Sequence, residues 1–166
     1  MPSGLREYGF AARSATARTY AGPMPERTDI DVVRAVYDAM HAHDFAALFT
    51  LLDPAIVVTQ DPRLPWGGRH EGHDGFAQFG LTLGANITSA VTIHAVFAAD
   101  DEVIQMGHTR GTVNANGYPF DIAEVHRWKI VDGLAVRAHF AIDTPAMLAV
   151  LETPGAAGAV ADFDQP

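Results

Sequence analysis

The segment Tyr118–Ile130, YPFDIAEVHRWKI, constrains the fold more than any other part of the chain. Read with period two, one face carries Phe120, Ile122, Glu124, His126, Trp128 and Ile130. The other carries Asp121, Ala123, Val125, Arg127 and Lys129. Such alternation marks a strand buried on one side only. Yet the apolar face holds a carboxylate and an imidazole. Burying ionisable groups is unfavourable unless they are paired, hydrogen-bonded or beside a wet cavity. The segment therefore predicts a sheet face that lines a pocket with acid/base groups in it.

The surrounding pattern supplies the rest of that sheet and its cover. Asp29 or Asp31 can N-cap a helix running to about His43, with Ile30, Val33, Val36, Tyr37 and Met40 as its apolar stripe. A short helix follows from Asp44, with Phe45, Leu48, Phe49 and Leu52 inward, and Asp53-Pro54 ends it. Ile56–Gln60 reads as a strand. Asp61 to Gly72 is rich in Pro and Gly and reads as an irregular loop. A third helix starts at Asp74, with Phe76, Phe79 and Leu83 inward. Strands near 88–99, 102–114, 118–131 and 134–142 are separated by turn signals at Asp100-Asp101, Asn116-Gly117 and Asp132-Gly133. A short helix over about 144–152 closes the domain. This order predicts an α+β fold with helices on the concave face of a curved antiparallel sheet.

Register decides which residues share the pocket. A three-residue turn ending in a left-handed Gly133 would pair Ile130 with Leu134 and turn Val136, Ala138, Phe140 and Ile142 inward. A two-residue turn would put Arg137 and His139 there instead, so the apolar pattern favours the longer turn. The same reasoning at Gly117 pairs Asn114 with Tyr118, and brings His108 and Arg110 onto the face of Glu124 and His126. A turn shifted by one would replace them with Gln105, Gly107 and Thr109.

Bulk properties remove several function classes. The 166 residues suit one domain, expected over 28–152, between an arm at 1–27 and a tail at 153–166. A formal charge of -9 argues against a nucleic-acid partner, which wants a basic face. The absence of cysteine excludes disulfides, thiolate metal sites and cysteine nucleophiles. No apolar run is long enough for a membrane span, so a cytoplasmic location is expected by default.

Several segments together resemble the ketosteroid-isomerase-like, or nuclear-transport-factor-2-like, superfamily, and within it the SnoaL-like (polyketide cyclase) branch. Val33–Leu48 resembles its first helix pair and Asp53–Val58 its first strand entry. Leu64–Phe76 resembles the loop into its third helix, and Val131–Val136 its last hairpin. The likeness spans about residues 29–151. It implies a cystatin-like α+β half-barrel with a deep apolar pocket, and a homodimer. The outer sheet face, with Ala123, Val125, His139 and Ala141, is the expected contact. It implies no single chemistry, since fold does not fix function. Asp61-Pro62 resembles the base-bearing Asp-Pro of ketosteroid isomerase. Glu124 falls where that enzyme has its protonated, oxyanion-binding aspartic acid. The oxyanion tyrosine would fall at Val36, one residue from Tyr37.

These residues lead to a cofactor-independent enzyme that isomerises or cyclises a small, apolar carbonyl compound. Asp61 or His126 would be the base, and Glu124 with Tyr37 or His108 would stabilise an oxyanion. Trp66, Phe79, Arg110, Trp128 and Phe140 would contact the substrate. One alternative activates water, as an epoxide hydrolase or hydratase, through Glu124, His108 and Arg110. Another is a non-catalytic binding or dimerisation module. His108, His126 and Glu124 also form a possible metal set, but the resemblance implies no metal and no cofactor.

Overall fold

The structure is a computed structural model and describes residues 27–154. The arm expected over 1–27 and the tail over 153–166 therefore lie almost entirely outside the described residues.

Ten elements follow one another in the chain. They are α1 (Asp29–His41), α2 (Phe45–Leu51), β1 (Leu52–Gln60), β2 (Gly68–Glu71), α3 (Gly72–Asn86), β3 (Ile87–Ala99), β4 (Glu102–Val113), β5 (Pro119–Val131), β6 (Leu134–Ile142) and α4 (Thr144–Glu152). The six strands form one curved, unclosed sheet in the order β2-β1-β6-β5-β4-β3. β1 lies parallel to β6 and every other pair is antiparallel, so the sheet is mixed. Strand β2 falls within the segment that the Pro and Gly content marks as a loop. None of the described helices is long and apolar enough to cross a membrane.

Local chemistry sets the helix ends. Thr28, rather than Asp29 or Asp31, caps α1, and Asp31 completes a reciprocal capping box with it. Asp44 caps α2, and Asp143 caps α4 ahead of Pro145. Within α2, Leu48 is buried but Phe45 stands 59% exposed, outside the expected inward set. Helix α1 packs across β3 to β6, and α3 against β1, β2 and β3.

Along β5 the alternation is complete: Phe120, Ile122, Glu124, His126, Trp128 and Ile130 are all buried. The neighbouring registers differ from expectation in instructive ways. Between β5 and β6 the turn is the two-residue one. Asp132 and Gly133 both have positive φ, 50° and 76°, and Val131 pairs with Leu134. Continued evenly, that register would turn His139 inward. A bulge at Val136 prevents this, because Ile130 lies opposite Ala135 but Lys129 lies opposite Arg137. Ala138, Phe140 and Ile142 thus face the helices after all.

No bulge rescues the β4–β5 register. The loop holds four residues, with Val113 paired to Tyr118 and Gly117 at φ 70°. Gln105 then faces His126, Gly107 faces Glu124 and Thr109 faces Ile122. His108 and Arg110 point to the outer face, where both bind Asp121. Solvation explains the choice: the inner face takes a neutral amide, Gln105, and the charged Arg110 stays in water.

Gly107 matters to this arrangement. A Cβ there would sit 2.1 Å from the Thr92 carbonyl oxygen and 2.7 Å from Gln105 Nε2. Gly107→Ala is expected to destabilise the protein by about 1–3 kcal/mol through overpacking. Chemical denaturation against wild type measures it.

Candidate active site

Four side chains from three elements form a ring on the inner sheet face, hydrogen-bonded at every link but that between Glu124 and His126. Tyr37, on α1, places its hydroxyl 2.7 Å from His126 Nδ1 and 3.3 Å from Gln105 Oε1. Gln105 Nε2 donates to Glu124 Oε1 at 3.0 Å. Glu124 Oε2 lies 3.4 Å from His126 Nε2, within ion-pair distance but outside hydrogen-bond geometry. From outside the ring, Trp128 Nε1–H donates to the Tyr37 hydroxyl at 3.1 Å.

Proton counting shows what this ring can do. Burial pushes the Tyr37 phenol well above its ordinary value, so it keeps its proton. When Glu124 is ionised, His126 carries its proton on Nε2, facing the carboxylate, while Nδ1 accepts from Tyr37. When Glu124 is neutral, its O–H faces His126 Nε2 and the imidazole proton moves to Nδ1. Tyr37 then accepts from His126 and turns its own O–H to Gln105 Oε1. With Glu124 ionised, the single Tyr37 proton goes to His126 and Gln105 Oε1 receives none, so every polar contact of the ring has its proton only when Glu124 is neutral. Burial raises Glu124 to about 7, opposed by the Gln105 hydrogen bond. Burial also lowers His126 to about 3. The pair therefore rests with a neutral imidazole and a carboxyl poised near neutrality.

Glu124 and His126 form part of the wall of a cavity of about 80 Å³. Phe140, Phe79, Trp66 and Met147 supply much of its apolar lining, with Gln60 and Thr109 as further polar groups. Partly exposed Met40, Leu83 and Val91 and exposed Ser89 edge it. A cavity of roughly 150 Å³ holds benzene, so this one accepts a small molecule or the end of a larger one. Phe140 is the hub of its wall, 4.6 Å from His126, 5.4 Å from Trp128 and 5.5 Å from Phe79 between ring centroids.

The structure thus brings Glu124, His126, Phe140, Phe79 and Trp66 together at one cavity. Tyr37 and Trp128 stand behind it and act on the ring, outside the cavity lining. His108 and Arg110 do not reach it, because the β4–β5 register turns them outward. The metal set of His108, His126 and Glu124 is not assembled for the same reason. Asp61 is also outside. It follows β1, borders a neighbouring surface depression and forms an ion pair with Arg63 at 2.6 Å. That guanidinium holds its carboxyl down to about 2, a poor match to a base that must take a proton near neutrality. Gln105 enters the sequence reading only through the shifted register, and Gln60 only as the end of a strand. Gln60 was accessible by alternation along Ile56, Val58 and Gln60. Gln105 depended on a loop one residue longer than its glycine suggested.

Comparison with known proteins places this geometry. No curated protein matches the chain in sequence. An NTF2-like protein from Burkholderia thailandensis E264 superposes with a TM-score of 0.71 at 26% identity, covering 76% of this chain and 99% of its own. A candidate polyketide cyclase from Pseudomonas putida KT2440 gives 0.65 at 18% identity, covering 75% and 98%. A candidate isomerase from Rhodopseudomonas palustris gives 0.61 at 16%, covering 75% and 96%. Both last similarities concern the fold alone. The sequence profile of the SnoaL-like domain matches residues 33–138, and with it the chain belongs to the SnoaL-like family of the NTF2-like superfamily.

Proposed function

We propose that this protein is a cofactor-independent acid/base enzyme that isomerises or cyclises a small, apolar carbonyl compound. The observation that carries this reading is Glu124: a buried carboxyl raised to about 7, beside a largely apolar cavity, hydrogen-bonded to Gln105 and 3.4 Å from the His126 imidazole. Ionised, Glu124 takes a proton from carbon next to the carbonyl. Protonated, it returns that proton to a different carbon or to the enolate oxygen. His126 remains neutral and follows the carboxyl by changing tautomer. Tyr37 and Gln105 are positioning residues that fix both partners. The names of the fold neighbours, a candidate cyclase and a candidate isomerase, agree with this class of reaction. A water-activating hydrolase loses support, since His108 and Arg110 lie on the opposite sheet face. A purely structural Glu124 locked by Arg110 loses support for the same reason.

The test is hydrogen–deuterium exchange next to the carbonyl in small ketones, from acetone to 2-cyclohexenone, followed by NMR in D₂O. The base is active when ionised, so the rate is expected to rise with pH and level off above about 7. A rate identical to that of buffer for every ketone would remove this reading.

A further inference from the structure

A second polar group, with no role in the ring, borders both this cavity and the neighbouring surface depression. Gln60 ends β1, is 93% buried at 7% exposure, and lies on the inner face by alternation with Ile56 and Val58. Its Oε1 accepts the Trp66 indole N–H at 3.0 Å. An indole N–H can only donate, so the oxygen end of the amide is settled and the NH₂ must point away from Trp66. That NH₂ has no hydrogen-bond partner among the described residues, and it is not sealed off from all access. Such a donor is accessible to a ligand or to water entering the space beside it.

Register shows where such a ligand lies. Gln60 pairs with Phe140, and Phe140 pairs with His126. These three residues form one row across β1, β6 and β5, with outer backbones roughly 10 Å apart at normal strand spacing. The Phe140 ring lies between the amide and the acid/base pair.

We infer that Gln60 is the carbonyl-oxygen donor of this cavity, held in that orientation by Trp66. The inference rests on the reading of the cavity as a substrate site, and deepens it by naming the substrate class. A molecule lying against Phe140 with its oxygen on Gln60 Nε2 turns its neighbouring carbons toward Glu124. The donor is a neutral amide, and among the described residues no Lys or Arg lines the cavity. An anionic substrate would gain nothing at Gln60 to offset repulsion from ionised Glu124. The fitting class is therefore an uncharged ketone, ester or lactone, and a carboxylate is disfavoured.

The experiment uses the full chain labelled with ¹⁵N. Cyclopentanone and methylenecyclopentane, similar in shape but differing in the acceptor oxygen, are titrated while the side-chain NH₂ signals are followed. The signal lost in Gln60→Glu identifies Gln60. Cyclopentanone is expected to shift it and the hydrocarbon to leave it in place. The ratio of ketone to hydrocarbon affinity is expected to fall about 3–10-fold in Gln60→Leu, the worth of one hydrogen bond. Gln60→Glu, measured at a pH where the new carboxyl is ionised, keeps an acceptor for Trp66 and removes the donor, so it should lose the ratio even if Gln60→Leu folds poorly. A ratio unchanged in Gln60→Glu, equal shifts by both probes, or no ketone binding by wild type at millimolar concentration overturns the inference. Binding in Glu124→Gln separates this outcome from failure of the catalytic reading. There the Gln60-dependent ratio should persist even though exchange is lost.

Discussion

Glu124→Gln is expected to reduce ketone exchange by roughly 10²–10⁴-fold, the range that a positioned general base contributes. The amide keeps the size of the carboxyl and can still accept from Gln105, so the arrangement persists without a carboxyl to titrate. The same substitution should raise stability at high pH. Glu124 has a folded value near 7 against an ordinary 4.5, so the folded protein holds that proton more tightly than the unfolded chain. Its contribution to stability is fully present below about 4.5, falls as pH rises towards 7, and is absent above. In the Gln variant that loss disappears. Its stability relative to wild type should thus increase between pH 5 and pH 8, by up to about 3 kcal/mol for a difference of this size. His126, lowered to about 3, imposes an acid-side loss below its ordinary 6.5 in both proteins, and the comparison removes it. Denaturation at the two pH values measures this, and a relative stability that does not change would show that Glu124 is not held near neutrality. Lost exchange with gained stability is the signature of a site that tolerates an unfavourable charge for function.

The sequence shows clearly what depends on side-chain alternation within one strand. All six residues read as the inner face of β5 are buried, and Glu124 and His126 are among them. It shows much less of what depends on how strands are joined. Gly117 does adopt the left-handed conformation, but the loop before it is one residue longer than the three-residue form. One residue of shift in a period-two element exchanges faces, so His108 and Arg110 left the site and Gln105 entered it. The Asp132-Gly133 turn also differs from expectation, yet the bulge returns Ala138, Phe140 and Ile142 to the inner face, with Ala135 in place of the expected Val136, because burying His139 in place of Phe140 would be unfavourable. The apolar pattern is strong enough on β6 to force a bulge. On β4 it is weak, since Ile104, Met106 and His108 alternate with Val103, Gln105 and Gly107, and neither set is plainly apolar. There the partner of Glu124 decides, and a neutral amide wins over a guanidinium.

Trp128 is the residue whose expected role changes most, from substrate contact to support, and this sets the other large effect. It is fully buried at 0% exposure in mid-β5, edge-on to Tyr37 at 5.9 Å between centroids and to Phe140 at 5.4 Å. Trp128→Ala removes that packing and should cost about 3–5 kcal/mol, as for other large aromatic truncations in cores. For a domain of this length the melting temperature is expected to drop by roughly 10–20 °C. Trp128→Phe separates packing from hydrogen bonding. It retains most of the apolar volume but removes the donor to the Tyr37 hydroxyl, a loss of about 1 kcal/mol. Tyr37 keeps His126 and Gln105 as partners, so the cavity wall stays in place. The Phe variant should therefore bind cyclopentanone as wild type does, while its melting temperature falls modestly. Calorimetry and the NMR titration read these two quantities independently. A Phe variant with an unchanged melting temperature but lost ketone binding would return Trp128 to the substrate, because only direct contact moves affinity without moving stability.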